Sequence, residues 1–121
     1  MTDSSWELVF HPKVVKDMEE LDGSVALQVF KALKKIQQNP LPRSEGGYGD
    51  PLGEHGGIDL KGYMKVKLKK PGIRIVYQLF IKEKELAVMA IGARREEDVY
   101  KEAEERKGLK KEAYRRSKPS T

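Results

Sequence analysis

The chain has 121 residues, 38% hydrophobic and 36% charged, which is enough apolar material for one modest core and one domain. It has no cysteine, so a disulfide framework and a thiolate metal site are excluded and a reducing cytoplasm is the expected compartment. The net charge of +5 is unevenly spread: residues 1–39 carry six acids and five bases, whereas Lys61, Lys65, Lys67, Lys69, Lys70 and Arg74 share the stretch 61–74 with no acid at all.

The N-terminal residues, Met1 to Trp6, contain no basic segment followed by an apolar one, and nowhere do about 18 apolar residues run together. Neither a secretory signal nor a membrane span is expected. Trp6-Glu-Leu-Val-Phe10 has the two-residue apolar period of a strand with one buried face. His11-Pro12 breaks it, and Val14, Met18 and Leu21 then fall at helical spacing up to Asp22-Gly23. With Ser24 as its N-cap, a second helix carries the stripe Val25, Val29, Phe30, Leu33 and Ile36 as far as Asn39-Pro40. The two helices are expected to form a hairpin.

Residues 40–59 are broken by prolines and glycines and are expected to form a long loop. They contain neither Gly-x-Gly-x-x-Gly after a strand nor a Walker pattern, so the glycines of 44–57 are read as conformational rather than as a phosphate cradle. Tyr63-Met-Lys-Val-Lys-Leu-Lys69 alternates strictly, Met64, Val66 and Leu68 on one face and Lys65, Lys67 and Lys69 on the other. Pro71-Gly72 turns the chain into the β-branched and aromatic run Ile73 to Ile81. Lys82 to Glu85 turns it again into Leu86 to Ile91, which is expected to be buried on both faces. After Gly92-Ala-Arg-Arg95 a helix is expected over about 96–107, acids in its first turn. The domain then spans 1–107, with 108–121 a basic, flexible tail. The element order β-α-α-β-β-β-α is that of an α+β domain, a mainly antiparallel four-stranded sheet with two N-terminal helices and one C-terminal helix.

Alternating lysines on a strand are often only a solvated face or a guard against edge pairing. Here Lys65 and Lys67 share a face, Arg74 lies on the paired strand, and Lys69, Lys70, Arg94 and Arg95 stand nearby in sequence. Such like charges repel one another unless an anion binds between them, and a nucleic-acid backbone is such an anion. Tyr100 reads either as a core residue beside Val99 and Ala103 or as a platform for an unpaired base. His11 and His55 are the only histidines. His11 suits a capping role and His55 a loop, so a paired-histidine ribonuclease centre and a histidine zinc site are both excluded. The basic strands also lack clustered carboxylates for a metal. Chemistry limited to lysine, arginine and tyrosine suits RNA, which carries its own 2′-hydroxyl nucleophile, and a lysine among cations has a lowered pKa that would let it act as a base.

The segments Trp6 to Pro12, Lys65-Val-Lys67-Leu, Gly72-Ile-Arg74-Ile-Val-Tyr77, Ile91-Gly-Ala-Arg94-Arg95 and Val99-Tyr100 resemble the RelE toxins of the RelE/ParE toxin–antitoxin superfamily over about residues 6–106. The resemblance implies a cytoplasmic, metal-independent and cofactor-free messenger-RNA endonuclease that acts in the ribosomal A site and is neutralised by a cognate antitoxin. The reaction it implies is attack by the 2′-hydroxyl, leaving a 2′,3′-cyclic phosphate. Carried over by motif, Lys67 is the proton acceptor, Lys65 a phosphate-stabilising cation, Arg74 the transition-state arginine, Arg94 the proton donor and Tyr100 the stacking residue. Lys69, Lys70 and Arg95 are left as further RNA-binding cations. The glycine-rich loop and the tail depart from the shorter members. The ParE-type gyrase inhibitors share the fold but generally lack the full lysine, arginine and tyrosine set, and a non-catalytic RNA-binding module is a third reading.

Overall fold

The computed structural model describes residues 5–93 and 95–116. In chain order the strands and helices are β1 (Glu7–Phe10), α1 (Val14–Glu19), α2 (Gly23–Gln38), β2 (Asp50–Pro51), β3 (Glu54–His55), β4 (Ile58–Asp59), β5 (Tyr63–Leu68), β6 (Ile73–Phe80), β7 (Glu85–Gly92), α3 (Glu96–Glu105) and β8 (Arg115–Arg116). Six strands form one sheet in the order β2-β5-β6-β7-β1-β8. Within this sheet, as far as the described residues go, β1–β7 is the one parallel strand pair. The four long strands are those expected, and a two-residue strand is added at each edge. Among the described residues no helix is long and apolar enough to cross a membrane.

The sheet is packed on both faces. Val14 of α1 and Val29, Leu33 and Ile36 of α2 meet Ile73, Ile75, Tyr77, Leu86 and Val88 on one side. On the other, Val99 and Ala103 of α3 meet Val76, Ala87, Met89 and Ala90. Strand β7 is buried along its whole length, as its unbroken apolar run implies. Strand β1 differs from its expected one-sided burial: Leu8 joins the first core and Val9 the second, because β1 is internal, flanked by β7 and β8.

Two details of α2 also differ. Its cap position is Asp22, whose carboxylate Oδ2 accepts a bond of 3.0 Å from Ser24 Oγ, so Ser24 itself lies inside the helix. Phe30 leaves the apolar stripe and stands 51% exposed beside Leu27. His11 does steady the start of α1, its Nδ1 accepting from the Lys13 amide at 3.1 Å. Burial, then Arg106 and Lys13, lower its pKa and favour the neutral ring such an acceptor requires.

The segment 40–59 is more ordered than its composition suggests. A 3-10 turn at Arg43–Glu45 is braced by the Arg43–Asp50 ion pair, β2 pairs with β5, and β3 and β4 form a hairpin. A side chain at Gly49 would collide with the Tyr77 hydroxyl and the Met64 sulfur, so this glycine answers a packing requirement. The hairpin is tied to α3: the Asp59 amide donates to Glu104 Oε2 at 2.7 Å, and Lys107 Nζ donates to the Asp59 carbonyl at 2.6 Å.

The chain beyond Gly108, expected to be a flexible tail, packs as far as Arg116. Tyr114 is only 5% exposed, wedged edge-on between the His11 and Phe80 rings, and its hydroxyl reaches Met89 Sδ at 3.1 Å. Beyond it β8 pairs antiparallel with β1, and Arg116 Nη1 approaches Glu85 Oε2 at 2.6 Å and Glu7 Oε2 at 3.3 Å. The physical reason is that β1 offers an unpaired edge, which the tail covers.

Candidate active site

The alternation of β5 sends Tyr63, Lys65 and Lys67 to the same sheet face as α3, and Lys67 is the register partner of Arg74 on β6. Arg74 is in turn opposite Gly92, the last residue of β7, and α3 begins four residues after Gly92. The first turn of α3 is thereby delivered over the β5–β6 pair.

That first turn brings a residue not foreseen from sequence. Glu96, first in α3, places Oε2 at 3.1 Å from Lys65 Nζ, 3.5 Å from Arg74 Nε and 2.9 Å from the Tyr100 hydroxyl. Tyr100 follows Glu96 by one helical turn, so both project from the same side of α3. The Lys65 ammonium also lies 5.9 Å from the centre of the Tyr100 ring. Lys65, Arg74 and Tyr100 therefore converge, but around a carboxylate. The only sequence signal was the spacing Glu96–Tyr100, and nothing local says that this turn faces the lysine strand.

The carboxylate sets the electrostatics. Hydrogen bonds from Lys65 and then Tyr100 hold the Glu96 pKa at about 2. Burial pulls the Lys65 pKa down, but its hydrogen bonds with Tyr100 and Glu96 outweigh that, and the net direction is upward. The neighbours considered from sequence were all cations, whereas the group that touches this ammonium is an anion. Lys65 is held as a cation. Burial, foremost, raises the Tyr100 pKa, so its hydroxyl keeps its proton and can donate.

The remaining expected site residues are placed differently. Lys67 is exposed on the strand beside Arg74, and Lys69 and Lys70 are exposed in the β5–β6 turn, outside the cluster. Arg95 turns to Glu97 at 3.5 Å and Asp98 at 3.9 Å. Arg94 lies outside the described residues. A cleft of about 590 Å³ adjoins the cluster, lined by Leu52, Ile58 and Leu60 together with Lys65, Arg95 and Tyr100. The segment 44–57 thus borders the site through Pro51, Leu52, Gly53 and Gly56.

Fold and site together define a small α+β domain whose sheet presents a cation cluster to the start of its last helix. No model of a known protein family matches the chain. It is 34% identical over 101 residues to an Escherichia coli protein named as a RelE-like toxin, covering 84% of this chain and 96% of that one. It is 27% identical over 99 residues to the mRNA interferase toxin RelE of Escherichia coli, covering 82% and 94%. A mutant of the Escherichia coli toxin RelE in the free state has the same fold, with a TM-score of 0.66 at 25% identity over 85% of this chain and 98% of that one. So does a chain of the intact Escherichia coli RelBE toxin–antitoxin complex, with a TM-score of 0.58 at 22% identity over 75% and 99%. The chain belongs to the RelE-like toxins.

Proposed function

We propose that this protein is the toxin of a type II toxin–antitoxin module, a metal-independent messenger-RNA endonuclease that cuts the codon in the ribosomal A site. The observation that carries the reading is the convergence of Lys65, Arg74 and Tyr100 on a single acceptor oxygen. Donors fixed in advance around one point stabilise charge that develops there, which is what a phosphorane needs. The kinship with an mRNA interferase and with a chain found in a toxin–antitoxin complex supports the same reading.

In the proposed reaction the 2′-oxygen attacks the adjacent phosphorus while the P–O5′ bond breaks, giving a 2′,3′-cyclic phosphate and a 5′-hydroxyl. Lys65 and Arg74 neutralise the phosphoryl oxygens. Lys67, exposed beside Arg74, takes the 2′ proton, and Arg94 supplies the proton to the leaving oxygen. Tyr100 orients the base. Because the nucleophile belongs to the RNA, the protein's own part is positioning and electrostatics. A cognate antitoxin would bind so as to cover or distort the cluster.

Purified protein added to a translation extract is expected to cut a translated message within A-site codons, and Arg74→Ala is expected to lower the rate by about 100-fold or more. An uncut message, or an Arg74→Ala variant as active as the wild type, would remove the basis of the proposal.

A further inference from the structure

Glu96 has no part in the reaction just described, yet it occupies the centre of the cluster. We infer that Glu96 holds, in the free protein, the seat of the scissile phosphodiester, so that substrate binding is an exchange of one anion for another. The inference rests on the proposed ribonuclease reading and adds to it a residue that opposes binding.

Three observations carry it. First, one oxygen is shared among three donors: Oε2 of Glu96 meets Lys65 Nζ, Arg74 Nε and the Tyr100 hydroxyl. A carboxylate oxygen has two lone pairs and cannot serve all three well. Arg74 Nε bears this out, being buried without a hydrogen-bond partner although ion-paired at 3.5 Å. A phosphodiester brings two non-bridging oxygens to the same point and relieves that shortage.

Second, the mobile partner is the carboxylate. The Glu96 side chain is 44% exposed, whereas those of Lys65 and Arg74 are 25% and 16% exposed and rooted in the sheet. Glu96 can rotate into water while the donors stay in place. Third, the shared point opens onto the 590 Å³ cleft, which Glu96, Lys65 and Tyr100 all line. A nucleotide whose phosphate replaces the carboxylate has space for its sugar and base. Two anions cannot share the seat, because their repulsion at contact distance in a partly buried site is strong. Glu96 therefore preorganises the donors and competes with the substrate for them.

The test is binding of a short fluorescent RNA, made uncleavable by a 2′-deoxy nucleotide at the scission point, to the full chain and its variants. Glu96→Gln is expected to bind about tenfold more tightly, by loss of one close repulsion. Glu97→Gln changes the net charge equally one residue along, pairs with Arg95 rather than with the cluster, and is expected to gain about twofold at most. Inorganic phosphate is expected to displace the RNA from Glu96→Gln at lower concentration than from the wild type. Glu96→Ser, a residue suited to helix starts, carries the same expectation if the glutamine variant folds poorly. The inference fails if Glu96 variants bind no more tightly than Glu97→Gln. Should Lys65→Ala and Arg74→Ala leave RNA binding unchanged, it is the underlying ribonuclease reading that fails; should they weaken binding with no gain at Glu96, only the exchange is lost.

Discussion

Asp17 and Arg106 meet as a bidentate pair, Nη1–Oδ2 at 2.8 Å and Nη2–Oδ1 at 3.1 Å, with side chains 6% and 10% exposed. Asp17 also accepts from the Ile91 amide, and Arg106 donates to the Met89 carbonyl, so one pair joins α1, β7 and the end of α3. Breaking such a pair strands a buried charge, and Arg106→Gln is expected to lower unfolding stability by about 3 kcal/mol, read from the urea midpoint at unchanged slope. Tyr77→Phe, which deletes the 2.7 Å bond to the Pro40 carbonyl, is expected to cost about 1 kcal/mol by the same measurement. Glu96 gives a pH signature. Its folded pKa of about 2 lies below the ordinary glutamate value of 4.5, so its contribution is fully present above pH 4.5 and is lost as pH falls toward 2. With 44% exposure screening the pair, the contribution is small, about 1 kcal/mol or less. Melting curves of wild type and Glu96→Gln are expected to differ at pH 6 and to converge near pH 2.

At the scale of elements, β8 is where reading by local pattern failed. Residues 109–116 are mostly charged, with no strand period long enough to register, and only Leu109 and the buried Tyr114 pack apolar surface against the core. Their pairing depends on the free edge of β1, roughly a hundred residues away, which no local window contains. Glu7 and Glu85 are register partners on parallel strands, and Arg116 reaches both. A chain ending at Gly108 would uncover the β1 edge and leave the two carboxylates side by side. It is expected to lose about 2 kcal/mol or more, with amide exchange accelerating in β1 before β5 and β6. The strands with a strict period were legible for the opposite reason: Met64, Val66 and Leu68 fix the facing of β5 without reference to any other element.

For the molecule as a whole, the sequence revealed the cations but not their meeting. The lysine face follows from alternation and Arg74 from the hairpin register, whereas Glu96 and Tyr100 join them only because β7 ends opposite Arg74. That is a fact of topology. Six bases and no acid share the stretch 61–74, and affinity for an uncleavable RNA is expected to fall steeply with salt. Lys67→Ala should reduce the log–log slope by about 0.7, the value for one lost phosphate contact on a single strand. The parallel pairing of β1 with β7 sets a further condition on when this site exists. Glu7 waits for Glu85, and Lys65 waits for Glu96, so the β5–β6 hairpin can close from its own neighbours while β1 stays unpaired and the cluster stays open until β7 and the start of α3 have followed.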